Sequence, residues 1–216
     1  MNEGERQIPS KRVSEAVEGY HATTIPVQVE IDVAQTILSQ PEAEEILKGA
    51  EAIALGPCYC RKEAKNCDAP LDVCIAVGGD VAEVIADYEG FRVVSQEEAE
   101  EALRISHEAG LVHLAYRKGG TQITQFCSCC SCCCWFLNTL KDYDYHEAII
   151  ASNYVVAHDR EACVGCGACV DRCHFSAWST NGDGKPNLVA EKCFGCGVCV
   201  MSCPSGAISL IPRSER

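Results

Sequence analysis

CVGCGACVDRCHFSAW, residues 163–178, recurs without a gap as CFGCGVCVMSCPSGAI, residues 193–208. The two copies share all four cysteines, both glycines, a valine and the later alanine. Duplication implies a pseudo-twofold structure in which each half covers what the other leaves exposed. Each copy reads C-x2-C-x2-C-x3-C. This spacing wraps three thiolates around three corners of a cube of iron and sulfide while the fourth reaches away, and the small residues between them let backbone N–H groups approach sulfur. In proteins with two such clusters the fourth cysteine serves the other one. One [4Fe-4S] cluster is therefore assigned to Cys163, Cys166, Cys169 and Cys203, and the second to Cys193, Cys196, Cys199 and Cys173.

Residues 155–212 resemble the bacterial-type ferredoxin domain that carries two [4Fe-4S] clusters. The second copy has the Cys203-Pro204 ending of that pattern, whereas the first has Cys173-His174, which alters the turn and polarity there without removing a ligand. The insertion STNGDGKPN, 179–187, reads as a hairpin turn between the copies. Zinc is the other ion that Cys-x2-Cys pairs hold. Two tandem four-cysteine units in this order favour the clusters.

Upstream lie ten more of the chain's 18 cysteines, in CYCRKEAKNCDAPLDVC (58–74) and CSCCSCCC (127–134). The first holds Cys58, Cys60, Cys67 and Cys74, and the second Cys127, Cys129, Cys130, Cys132, Cys133 and Cys134. The N-terminus, MNEGERQIPSKRVSEAVEGY, has no apolar core of a signal peptide, so a cytoplasmic location is expected, where disulfides are disfavoured. Adjacent cysteines also bridge one another only with strain. A zinc site takes four thiolates and leaves six; two clusters take eight and leave two. All ten are candidate metal ligands, for one or two further iron–sulfur clusters or for zinc, and spacing permits more than one grouping. Arg61, Lys62 and Lys65 are either cations that lower thiolate pKa values or solvated surface charges.

Between these groups, Pro41 with Glu42, Glu44 and Glu45 opens a helix that Gly49 closes. A second helix is expected over 80–88, and Ser95-Gln96-Glu97-Glu98 is a capping box for a third over 96–109, stopped by Gly110. The period then becomes two: Val112, Leu114 and Tyr116 share a face, Lys118-Gly119-Gly120-Thr121 turns, and a strand from Ile123 returns to Phe126. Helix followed by hairpin resembles a wing on a small helical domain. In the returning strand Cys127 and Cys129 can share a face, but adjacent cysteine pairs cannot unless the backbone bends.

The CC pairs resemble the CCG-type modules of heterodisulfide-reductase-like enzymes, although no glycine follows them here. A closer resemblance is to ferredoxin-domain proteins of anaerobes. It rests on Cys58-Tyr59-Cys60-Arg61, Gly110-Leu111-Val112-His113 and the run Cys129 to Cys134. It implies iron–sulfur electron transfer in anaerobic metabolism.

His113, His158 and His174 are candidate ligands or proton carriers. Trp178, aligned with Ile208 in the repeat, reads as core cover, and Trp135 with Phe136 as a shield over the cysteine run. No phosphate-binding or dinucleotide-binding loop is present. The net charge of -13 makes nucleic acid an unexpected partner and a redox enzyme with a basic docking patch an expected one. No apolar run approaches the roughly 20 residues of a membrane span, so no membrane insertion is expected.

The expected fold class is α+β, with a helical segment at 1–50, a cysteine-rich helical and β-hairpin domain at 51–150 and a two-cluster ferredoxin-like domain at 151–216. Single-electron relay to or from a redox enzyme is the leading function. An oxidoreductase, or a subunit of one, whose N-terminal cysteines do chemistry is the alternative, and a redox-responsive DNA-binding regulator using Arg117 and Lys118 is a third.

Overall fold

The computed structural model describes residues 35–117, 123–138, 149–180, 182 and 184–215. The turn expected at 118–121 and most of the segment 1–50 lie outside them. The fold is mixed α+β, as expected.

Its centre is a seven-stranded sheet in the order β4-β2-β3-β6-β5-β1-β7. These strands are β1 (Gln35–Leu38), β2 (Ile53–Pro57), β3 (Asp72–Val77), β4 (Arg92–Val93), β5 (Val112–Arg117), β6 (Ile123–Cys129) and β7 (Ile149–Ile150). All neighbours are antiparallel except β1 and β7. Residues 35–48 thus contribute a strand to the sheet of the cysteine-rich region as well as a helix.

The expected helices form. Helix α1 (Gln40–Lys48) starts where Glu42 accepts from both the N–H (2.8 Å) and the hydroxyl (2.7 Å) of Ser39. Helix α2 (Tyr59–Ala64) follows Cys58, and α3 (Val81–Asp87) follows a single 3-10 turn at Gly78–Asp80. Helix α4 (Gln96–Glu108) is capped by Ser95, whose hydroxyl accepts from the Glu98 N–H at 3.2 Å.

Period-two alternation in the central strands sends side chains to both faces, and both faces are covered. On one face Leu38, Ile75, Ala115 and Phe126 pack with Ala43 and Leu47 of α1 and Ala99, Ala102 and Leu103 of α4. On the other, Ile37, Val112, Leu114 and Cys129 pack with Cys134, Leu137, Phe194 and Val198. The wing-like reading is therefore overturned: β5 and β6 lie inside the sheet, because helices cover one face and the cysteine run with the C-terminal region covers the other.

The C-terminal region has the expected duplicated form. Strand β8 (Tyr154–His158) pairs with β11 (Ile208–Pro212), and β9 (Trp178–Thr180) pairs with β10 (Pro186–Leu188), each pair antiparallel. Short helices α5 (Ala168–Arg172) and α6 (Val198–Met201) begin after Gly167 and Gly197, whose φ angles are 79° and 81°. Left-handed backbone at both positions accounts for glycine in both copies. Trp178 and Ile208 are both buried in the core between the halves, as the repeat implied.

His113 lies on the helix-covered face, fully buried and stacked on His107 of α4 with centroids 6.1 Å apart. Its Nδ1 is 3.1 Å from the hydroxyl of Ser128, its register partner in β6. Burial holds its pKa down at about 3. The unfolded chain, with an ordinary value near 6.5, takes up a proton first on acidification, so this contribution is complete above about pH 6.5 and is lost as pH falls toward 3. Urea unfolding of wild type should lose about 1.4 kcal/mol more per pH unit than His113→Gln between pH 6 and 4.5. Equal slopes would show that His113 is protonated in the native state.

Candidate metal centres

The C-terminal cysteines fall into two neighbourhoods. Cys163, Cys166, Cys169 and Cys203 line one cavity with His158 and Ile208. Cys173, from the first copy, is instead close enough to Cys193, Cys196 and Cys199 of the second for their charges to interact. Burial pushes the Cys169 thiol up to about 11 and Cys199 up to about 12. These thiolates therefore need compensating positive charge, which bound metal supplies. At Cys203 burial also acts upward, but the Ser205 hydroxyl and the N–H groups of Ala207, Ser205 and Gly206 leave its pKa lowered. The repeat reproduces one of these contacts, since the Ala177 N–H donates to Cys173 Sγ at 3.4 Å. The shared alanine of the two copies thus marks a backbone donor aimed at sulfur.

The departure at His174 joins the two cysteine-rich regions. Its Nε2 lies 2.7 Å from the carbonyl of Gly110 and its Nδ1 3.1 Å from the hydroxyl of Ser131, inside the CSCCSCCC run. The carbonyl can only accept, so Nε2 carries a proton. Gly110 has φ 77°, and a Cβ there would lie 2.6 Å from Arg172 Nη1, so glycine permits the close approach. Of the other candidate histidines, His158 packs edge-on against Trp178 with centroids 5.0 Å apart.

The ten upstream cysteines come together from both segments and divide in two. The strand β6 runs through Cys129, further than the sequence pattern indicated. Cys127 and Cys129 consequently share a face, opposite Leu114 and Val112, while Ser128 turns to the other face. One helical turn follows, with N–H groups of Cys133 and Cys134 donating to the Cys130 carbonyl at 3.4 and 3.0 Å. This is the bend that adjacent cysteines require. It directs Cys130, Cys132 and Cys133 toward Cys67, and the four sulfurs all lie within 4.8 Å of one another. Cys134 joins the other set.

That second set is a connected series. Cys74 and Cys127 have sulfurs 3.6 Å apart, Cys74 hydrogen-bonds Cys58, and Cys129 hydrogen-bonds both Cys127 and Cys134. The bond from Cys74 holds Cys58 down at about 6, whereas burial lifts Cys60 to about 11. Cys58, Cys60, Cys74, Cys127 and Cys129 line an open cavity of about 170 Å³, together with Tyr59, Tyr88, Phe91 and Tyr116.

Arg61 is buried at 2% exposure while Lys62 and Lys65 are exposed, so the three neighbouring cations have different roles. Arg61 donates to the carbonyls of Pro70 and Ser128, the latter at 3.0 Å, and lies 3.6 Å from Cys130 Sγ. Burial works against its charge, but the bond to Cys130 and the nearby thiols outweigh it and raise its pKa. The shield expected of Trp135 is not formed: the residue is 65% exposed, because the turn after Cys130 faces it outward. Leu137 is buried instead, and Phe136 packs edge-on against Tyr116. The roles of Tyr116 and Ser131 were not legible in sequence, since each depends on a neighbour far away along the chain.

Residues 162–208 match the family model described as a 4Fe-4S dicluster domain. No match is found among curated proteins. Among the described residues no helix is long and apolar enough to cross a membrane.

Replacing Arg61 leaves the buried sulfurs of Cys130 and its neighbours without a cation and two carbonyls without a donor. Arg61→Met should cost about 3 to 5 kcal/mol in urea unfolding of anaerobically prepared protein. Stability within about 1 kcal/mol of wild type would show that the guanidinium is not needed there.

Proposed function

We propose that this protein is an iron–sulfur electron carrier that passes single electrons to or from a redox enzyme in anaerobic metabolism. The observation that supports this reading most directly is the crossed arrangement of the C-terminal cysteines: Cys203 beside the first copy's three and Cys173 beside the second copy's three. Crossing is what two cubanes in one duplicated domain require. When bound, each cubane supplies a one-electron couple whose charge change is delocalised over iron and sulfide.

The chain's own groups set the conditions for that couple. The N–H groups at Cys173 and Cys203 donate to sulfur and favour the more negative state, while burial by Trp178, Val155 and Ile208 disfavours added charge. His174 bonds to the Gly110 carbonyl and so holds the domain against the upstream thiols, which supports a reading in which they serve the same electron path. The excess of acidic residues suits a partner with a basic docking patch.

A second reading is favoured by the cavity beside Cys58, Cys60, Cys74, Cys127 and Cys129. In it these thiols reduce a small disulfide to two thiols, with the C-terminal domain supplying the two electrons one at a time and solvent the two protons. Reduction of a small disulfide by the full-length protein with a low-potential one-electron donor, lost in Cys58→Ser, supports it.

The carrier reading is tested on protein purified without oxygen. Its C-terminal domain should account for about eight iron and eight acid-labile sulfide per chain. In reduced samples, Cys203→Ser and Cys166→Ser should alter one paramagnetic signal, and Cys173→Ser and Cys196→Ser the other. If Cys203→Ser instead alters the signal that Cys196→Ser alters, the ligand assignment fails. Absence of labile sulfide removes the carrier reading altogether.

A further inference from the structure

The two upstream thiol sets differ in geometry, and the difference bears on what each can hold. In the set Cys67, Cys130, Cys132 and Cys133 the sulfurs lie 3.7 Å (Cys67 to Cys130), 3.8 Å (Cys67 to Cys133) and 3.8 Å (Cys132 to Cys133) apart. One metal ion bound tetrahedrally by sulfur at about 2.3 Å has sulfur–sulfur edges of about 3.8 Å. In a cubane each thiolate binds a different iron at a separate corner, so its four thiolates stand further apart. The protein carries its own comparison. Among the described residues this is the only group of three or more potential ligands with all atoms within 4.8 Å, and neither C-terminal quartet closes that far.

We infer that Cys67, Cys130, Cys132 and Cys133 form a mononuclear tetrathiolate site for one divalent ion, zinc or iron, distinct from the cubane sites. The inference narrows the wider reading that the upstream cysteines hold metal. Local structure supports the geometry. Lys65 adopts φ 51° and turns the chain out of α2, so that Cys67 faces the cysteine run, and Asn66 Nδ2 holds the Cys132 carbonyl at 2.8 Å.

Charge supports it independently. Binding releases four thiol protons, and the four thiolates with a divalent ion carry a net charge of about -2. Arg61 is a buried cation that makes no ion pair with a carboxylate among the described residues; the sulfur it donates to is Cys130 Sγ at 3.6 Å. A buried guanidinium without a carboxylate requires such a counter-charge, which a metal-bound thiolate supplies. A tetrathiolate has no open coordination position. It therefore acts as a clamp between the loop after α2 and the end of β6, and leaves the cavity-facing thiols as the set free for chemistry.

The test uses full-length protein purified without oxygen. Wild type should contain about one zinc, or about one iron in excess of labile sulfide, per chain. Where the ion is zinc, X-ray absorption at its edge should give four sulfurs at about 2.3 Å; where it is iron, Mössbauer spectra should contain a separate mononuclear tetrathiolate component. Cys132→Ser should lose that ion with labile sulfide unchanged, and Cys196→Ser should lose iron and sulfide while keeping it. Wild type with no zinc and equal iron and sulfide overturns the inference, even if Cys132→Ser does not fold. Loss of about four iron and four sulfide together in Cys132→Ser also overturns it. In protein devoid of sulfide, zinc bound by four sulfurs and lost in Cys132→Ser but kept in Cys196→Ser would uphold this site while removing the carrier reading.

Discussion

The register between β5 and β6 is the constraint on which the cysteine-rich region depends. Val112 opposes Cys129, His113 opposes Ser128 and Leu114 opposes Cys127. A slip of one residue would send Cys127 and Cys129 to the helix-covered face and put Ser128 among the sulfurs. The buried pair of His113 and Ser128 resists that slip, since each is a polar group that finds its partner only in this register. Because Cys130 follows directly, the same register sets where the turn begins, and therefore which cysteines meet Cys67.

Charge is the second constraint. Ten thiols gathered under one sheet cannot all ionise in a low-dielectric interior without compensation. The chain provides compensation unevenly. Arg61 is spent on Cys130, with Lys62 and Lys65 at the nearby surface, while Tyr116 and the backbone N–H of Trp135 serve the set that faces the cavity. The C-terminal domain relies instead on N–H groups such as those at Cys173 and Cys203. The different means of stabilising thiolate match the different arrangements of sulfur.

The two regions share a core. Phe194 and Val198 pack against Val112, Leu114 and Cys129, and Phe175 stacks on Phe194 with centroids 4.6 Å apart. Glu42, besides capping α1, accepts from Asn153 Nδ2 at 3.0 Å, just ahead of β8. His174 stands where the other copy has proline and bonds into the upstream region. This departure from the repeat is a contact between regions, and no inspection of either copy alone would have shown it.

The sequence by itself determined the duplicated C-terminal unit, its glycine positions and the helix starts near Pro41 and at Ser95, because these depend on contacts within a few residues and on backbone conformations that few residue types allow. It also brought all ten upstream cysteines forward as candidate metal ligands. Only the tertiary structure decided how they divide, because Cys67 meets Cys130 across 63 residues and Cys74 meets Cys127 across 53. The same holds for the hairpin, whose alternating pattern is shared by a free wing and by a strand within a sheet. Burial on the second face comes from Ile37, Phe194 and Val198, which lie elsewhere in the chain. Local pattern carries local geometry, whereas ligand grouping and burial belong to the packing of distant segments.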